Sequence, residues 1–182
     1  MSIWEWLGFV SGVLGVFLTI RQHILCWPMA IISVAVYTYV FCVSGLYGDM
    51  ALQLFYLGSS IYGWWLWAKG KGMQEFVVFK MSEKTMLISI GSTAILTVLF
   101  YFILKHTNTN VAFYDAFLTA VSLVTTWLMA KKYLENWIIW VFADCAYVFL
   151  YVFKELYLTA ILYLIFAVLA TIGYFQWRKK IT

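Results

Sequence analysis

Charge is scarce in this chain, and proline nearly absent. Only 11% of the 182 residues are charged, against roughly 25% in an ordinary soluble domain. Pro28 is the single proline, so little breaks the long segments between loops. The three cysteines, Cys26, Cys42 and Cys145, form no CxxC pair and no metal-ligand spacing. That leaves no metal centre and no cofactor to expect, and the cysteines are expected to pack as small hydrophobes. The opening Met1-Ser2-Ile3-Trp4-Glu5-Trp6 lacks the basic start and small-residue cleavage site of a secretory signal. The first apolar segment is therefore expected to be retained.

What is present is apolar. Hydrophobic residues make up 65% of the chain and aromatics 21%, and the mean hydropathy is +0.90. Crossing a bilayer takes a helix of roughly 20 mostly apolar residues. Seven such runs can be marked, at 3–20, 24–43, 50–68, 86–104, 113–130, 136–153 and 156–177. They are continuous rather than alternating, which argues against a β-barrel. The expected class is an all-α integral membrane protein with seven transmembrane helices. Loop charge orients it. The N-terminus and the loops after helices 2, 4 and 6 carry 2 Lys/Arg, Lys105 and Lys154. The opposite side carries 10: Arg21, Lys69, Lys71, Lys80, Lys84, Lys131, Lys132, Arg178, Lys179 and Lys180. The C-terminus is expected in the cytoplasm and the N-terminus outside. Topology accounts for the net charge of +4, and no nucleic-acid partner is implied.

Shifting the chain by 110 positions reveals self-similarity. Trp27 meets Trp137, Leu46-Tyr47 meets Leu156-Tyr157, and Arg21 meets Lys131. The Gly-x-x-x-Trp-x-Lys run Gly63, Trp67, Lys69 meets Gly173, Trp177, Lys179. Leucine matches are cheap in so apolar a chain, but these are not. Helices 1–3 and 5–7 are read as two copies joined by helix 4, with boundaries 1–71, 72–112 and 113–182. Four crossings separate helix 1 from helix 5, so the copies run parallel, related by an axis along the membrane normal. Such a 3+1+3 plan points to a carrier with its site between the copies.

Polar residues inside the runs then become the candidates, because unpartnered polar groups in lipid are costly. Trp140, Asp144, Tyr147 and Tyr151 share one face of helix 6, and Trp137 lies one turn before Trp140. Ser33 and Tyr37 share a face of helix 2, and Gln53, Tyr56 and Ser60 one of helix 3. Asp115, Thr119, Ser122 and Thr126 form a stripe on helix 5, and Thr159 and Tyr163 pair on helix 7. Several have plainer explanations. The Gly8, Gly12, Gly15, Thr19 face of helix 1 reads as close helix packing. Trp4, Trp6, Trp64, Trp65, Trp67 and Trp177 read as interfacial anchors. The helix 5 hydroxyls can bond their own backbone carbonyls, and Asp49, Glu5 and Asp115 lie near run ends where water or headgroups reach them.

Asp144 stands apart. It sits near the middle of its run, and no Lys or Arg occupies any run at similar depth. A protonated carboxyl, a hydrogen-bonded cluster and a carboxylate facing a wet cavity all remain open, and the last would receive a cationic solute. The tryptophan one turn away favours a cation as well.

At this point the residues resemble a family. Lys131-Lys132-Tyr133-Leu134-Glu135-Asn136-Trp137-Ile138-Ile139-Trp140 and Leu46-Tyr47…Gln53…Ile61-Tyr62-Gly63-Trp64 are similar to the bacterial nicotinamide riboside transporters of the PnuC type, over nearly the whole chain. The resemblance implies a fold similar to the SWEET sugar transporters, a homotrimer in the bacterial inner membrane, and uniport of a vitamin precursor by facilitated diffusion. It also implies trapping of the substrate through phosphorylation by a cytoplasmic kinase. It implies a substrate site built on Trp140 with polar residues of the core helices, Gln53 among them. Family members commonly carry asparagine where this chain has Asp144 and Ser33. Loss of two amides removes donors that would read a carboxamide, so thiamine stands beside nicotinamide riboside as a substrate; both are flat, aromatic and cationic. The expected site holds no metal and is built on Trp140, with Trp137 before it: Tyr147 stacks with Trp140 on the ring, Asp144 opposes its charge, and Ser33, Tyr37, Gln53, Tyr56 and Tyr163 bond its hydroxyls or substituents.

Other classes fit less well. An intramembrane enzyme needs a nucleophile with its base or a set of metal ligands, yet His23 and His106 lie in loops and no second carboxylate accompanies Asp144. A channel needs a ring of like charges or a filter loop, and neither is visible. A purely structural scaffold would leave Asp144 and the repeat without purpose.

Overall fold

Every peptide group in a bilayer must find its partner within the chain, and an apolar run does so by coiling into a helix. The computed structural model describes residues 3–43, 47–69, 77–106, 112–153 and 157–181. Leu46, Leu156, Lys71 and Lys154, and the side chains of Glu5, Asp49 and Thr159, lie outside the described residues. Among the described residues seven helices appear: α1 Ile3–Ile20, α2 Cys26–Val43, α3 Tyr47–Lys69, α4 Glu83–Leu104, α5 Ala112–Ala130, α6 Asn136–Phe153 and α7 Tyr157–Arg178. Each falls on one of the seven apolar runs, with ends shifted by three residues at most. By length and composition α4, α5, α6 and Ala160–Arg178 of α7 can each cross a membrane, while α1 and α2 hold the shorter apolar stretches Trp6–Ile20 and Cys26–Val40.

Local chemistry sets the ends. Pro28 falls in the first turn of α2, where its missing N–H breaks no helical bond. Ser82 caps α4 by accepting from the Thr85 N–H at 3.2 Å, with Glu83 following in the first turn. α1 and α5 finish alike. His23 N–H donates to the Leu18 carbonyl and Gln22 N–H to Thr19, both at 2.9 Å. At the end of α5, Tyr133 N–H donates to Leu128 at 3.1 Å and Lys132 N–H to Met129 at 3.0 Å. This paired closure requires a left-handed residue just past the helix, and Gln22 (φ 57°) and Lys132 (φ 63°) supply it.

Contacts between helices run in a closed cycle, α1–α2–α3–α5–α6–α7 and back to α1, with α4 outside, packed chiefly on α5. Phe100 of α4 also meets Phe55 of α3 edge-on at 5.7 Å. α4 is inverted relative to a soluble helix: Ser89 and Thr97 face inward, and Leu87 and Ile95 outward. Ser89, Thr93 and Thr97 each donate to the carbonyl four residues back, which lets hydroxyls sit among apolar neighbours. Large apolar side chains cover the outer faces of the other helices too, as lipid requires.

Small residues let the helices close up. Gly8 lies under the ring of Tyr37, Gly12 beside Ser33, and Gly15 against the α2 backbone at Ala30. The close-packing face expected on α1 is thus present. Gly63 lies beneath Trp27, and Gly173 beneath Trp137. Val78 joins a buried cluster with Trp27, Trp67, Trp137 and Trp177. It belongs to a short strap, residues 77–81, whose Phe79 N–H donates to the Lys132 carbonyl and whose Phe79 carbonyl accepts from Leu134 N–H at 2.8 Å.

Candidate functional site

The polar stripe of α6 runs from the basic end of the bundle towards the other end. Trp137 and Trp140 come first, then Asp144, then Tyr147 and Tyr151. At about 1.5 Å of rise per residue, Asp144 stands about 6 Å beyond Trp140 and about 4.5 Å before Tyr147. Asp144 is 3% exposed. Among the described residues no Lys, Arg or His pairs with it. It lies close enough to Tyr163 of α7 to act on that hydroxyl electrostatically.

Beyond Asp144 the aromatic rings converge. Tyr147 and Tyr163 have ring centroids 4.7 Å apart, Tyr151 and Tyr163 5.1 Å, and Tyr147 and Tyr151 5.9 Å in a stacked arrangement. The Tyr147 hydroxyl shares a 3.4 Å hydrogen bond with Ser122 of α5. Tyr56 of α3 interacts with both Ser122 and Tyr147. Helices α3, α5, α6 and α7 thus place a tyrosine–serine cluster next to the acid. Phe166 extends it, edge-on to Tyr163 at 5.7 Å. A side chain built at Gly12 would meet Phe166 at 3.7 Å and the Ser33 hydroxyl at 3.3 Å, so α1 and α2 border the same group.

The candidate residues therefore divide. Asp144, Tyr147, Tyr163 and Tyr56 come together, and Gln53 lies half-buried one turn from Tyr56 on α3. Ser33 donates to the Gly8 carbonyl at 2.9 Å, and Tyr37 lies on Gly8, so both line the α1–α2 seam. Trp137 goes elsewhere. It is 2% exposed, edge-on to Trp177 at 5.3 Å and 85°. Trp140 is half-buried against the same tryptophan cluster. On α5, Thr126 of the stripe donates to the Ser122 carbonyl, the self-satisfying pattern expected there, and Thr125 beside it donates to Val121 in the same way. The Ser122 hydroxyl departs from it and turns to Tyr147. Ser122 and Tyr151 stand in the sequence stripes yet are absent from the expected substrate contacts, because periodicity places them on a face without saying what the face meets.

Two expectations are corrected. Trp67 and Trp177 are not interfacial anchors: they are 5% and 0% exposed, whereas Trp4, Trp6, Trp64 and Trp65 are exposed. The reason is that the inner faces of α3 and α7 meet the opposite half of the bundle. Cys26 packs in the core, but Cys42 and Cys145 lie on exposed faces. Beside Trp67, the Lys132 ammonium stands 5.7 Å from the ring, and burial lowers its pKa.

Among the described residues the arrangement is a membrane bundle with one buried acid between a tryptophan group and a tyrosine group. Comparison with known proteins adds to it. The sequence model of the Nicotinamide mononucleotide transporter family matches residues 2–179. The nicotinamide riboside transporter PnuC of Escherichia coli is 24% identical over 200 residues, spanning 95% of this chain and 84% of that protein. That of Haemophilus influenzae is 23% identical over 185 residues, spanning 97% and 81%. That of Neisseria mucosa is 25% identical over 193 residues, spanning 97% and 73%. A crystal structure of the vitamin B3 transporter PnuC shares the fold with a TM-score of 0.77 at 24% identity, over 97% of this chain and 80% of that one. With residues 2–179 accounted for, the chain is a multi-pass membrane protein and belongs to the nicotinamide mononucleotide transporter family.

Proposed function

We propose that the chain imports nicotinamide riboside across the bacterial inner membrane by facilitated diffusion, and that a cytoplasmic kinase traps the substrate by phosphorylation. The relatives named as nicotinamide riboside transporters support this substrate. The observation that carries the reading is Asp144, buried on α6 with no cation paired to it among the described residues. A carboxylate so placed favours a positively charged ligand, and the pyridinium ring of nicotinamide riboside supplies one. Trp140 and Tyr147 stack the ring, Trp137 supports Trp140, and Ser33, Tyr37, Gln53, Tyr56 and Tyr163 bond the ribose hydroxyls and ring substituent.

In this reading the bundle is a SWEET-like 3+1+3 repeat, with all seven helices spanning the membrane, residues 1–71 and 113–182 as the two copies and 72–112 as the linker. The recurrence of helix ends and Gly–Trp contacts at a spacing of 110 supports it. The basic end faces the cytoplasm and the N-terminus lies outside. Three copies assemble as a homotrimer.

Thiamine is a second substrate reading. It rests on Asp144 and Ser33, which stand where the family commonly has amides. A titration of purified protein with each vitamin, followed by tryptophan fluorescence, separates them. Saturable quenching by nicotinamide riboside at lower concentration than by thiamine supports the first reading, the reverse order supports the second, and no response to either removes both.

A further inference from the structure

The tryptophans that close the bundle at its basic end form a crossed connection. α1 and α5 each end with carbonyls that have no partner inside their own helix. The paired closures at Gln22 and Lys132 use most of them. The Ala130 carbonyl at the end of α5 instead accepts the indole N–H of Trp67, from α3, at 3.0 Å. The Thr19 carbonyl at the end of α1, which already accepts the Gln22 N–H, also accepts the indole N–H of Trp177, from α7, at 3.2 Å. The last helix of each half thus donates to the end of the first helix of the other half. Thr19 corresponds to Met129 in the 110-residue register, so the two acceptors differ by one position.

The same rings bind each half internally. Trp27 and Trp67 lie edge-on at 5.4 Å and 89°, and Trp137 and Trp177 at 5.3 Å and 85°. Trp67 and Trp177 then meet each other at 6.3 Å. The row Trp27, Trp67, Trp177, Trp137 therefore joins both halves across the α3–α5 and α1–α7 seams. Asp144 lies deeper along α6, on the far side of this layer. A carrier whose two halves rock about a central site has to part them at one end at a time. Parting this end breaks the two indole hydrogen bonds, the Trp67–Trp177 ring contact and the Lys132–Trp67 contact among others, each reversible and of modest strength.

We propose that Trp67 and Trp177 are the gate on the basic side of the bundle: their crossed indole bonds hold that side shut, and both break when it opens. This rests on the transporter reading, but its test needs no substrate. Cys26, 2% exposed, lies within the tryptophan cluster and reports on the layer. With the exposed Cys42 and Cys145 changed to alanine, the full-length protein in proteoliposomes is treated with a water-soluble maleimide. Trp67→Phe/Trp177→Phe keeps an aromatic ring at each position, smaller than indole, and deletes both donors. Cys26 is expected to react about tenfold faster in that variant than in the parent. A control thiol, Leu150→Cys, placed in the tyrosine group and made in a Cys26→Ala background, is expected to keep its rate. Equal Cys26 rates overturn the proposal, and so does equal acceleration at residue 150, which would mean general loosening. If the double variant does not accumulate, each single variant is read in the same way, and no acceleration in either overturns the gate. Failure to bind any vitamin removes the substrate reading and leaves this result standing.

Discussion

The six-membered face of Trp137 fills the space in front of Gly173, where an added Cβ would come within 2.6 Å of the ring. Gly63 and Trp27 make the same contact in the first half. Both rings are fully buried, so neither can step aside at low cost. Gly173→Ala and Gly63→Ala are each expected to destabilise the bundle by about 1–3 kcal/mol. Gly58→Ala on α3, where nothing lies within 4 Å, is expected to leave stability unchanged or raise it by up to about 1 kcal/mol. Thermal unfolding in detergent compares the three.

Asp144 and Trp140 carry the substrate assignment. Asp144→Asn keeps the shape and deletes the charge; Asp144→Ala deletes both. Loss of a buried charge that meets a cationic ligand lowers affinity by tenfold or more, about 1.4 kcal/mol or above. Uptake of labelled vitamin into proteoliposomes is expected to fall that far in Asp144→Ala and Trp140→Ala. Wild-type uptake in both variants would remove the assigned site.

Gln22 holds a left-handed conformation that costs a non-glycine residue about 1 kcal/mol, and its buried side-chain oxygen has no hydrogen-bond partner among the described residues. Gln22→Gly relieves both and is expected to raise stability by about 0.5–1 kcal/mol after the flexibility of glycine is counted. Gln22→Val is expected to lower it, because a branched Cβ tolerates that conformation worst. At Lys132 the gain from glycine should be smaller, since the substitution also deletes the ammonium beside Trp67. Unfolding midpoints order the variants.

The strap is held at Met81, whose N–H donates to the Glu135 carboxylate at 3.0 Å. Glu135→Ala deletes the acceptor. Cleavage by trypsin after the exposed Lys80 is expected to quicken about fivefold, tracking the larger population of detached strap. An unchanged cleavage rate would show that the bonds of Phe79 suffice.

Much of the bundle is legible in the sequence because lipid imposes a local rule. A run of apolar residues long enough to cross must be helical, and its ends fall where polar and turn-forming residues resume. Hence the runs 3–20 and 136–153 coincide with α1 and α6 to the residue. The stripe Trp140, Asp144, Tyr147, Tyr151 is legible for the same reason, since helical periodicity is local.

What the stripe meets is not local. Ser122 and Thr126 lie four residues apart on α5, and both are hydroxyls. Thr126 bonds its own helix, whereas Ser122 bonds Tyr147, and only the seam between α5 and α6 separates the two outcomes. The hydroxyl of Ser33, a candidate ligand contact, also donates to the Gly8 carbonyl of α1, a partner its place on α2 does not reveal.

By itself the sequence determined where the chain coils, how apolar it is, and that two stretches 110 residues apart share uncommon residues. Tertiary structure alone decided which aromatics lie at the surface and which join the halves. Trp65 and Trp67 are two positions apart on α3, equally apolar and equally close to a helix end. Trp65 is exposed while Trp67 is buried against Ala130, because two residues along a helix rotate a side chain by about 200° and the opposite half approaches from one side only.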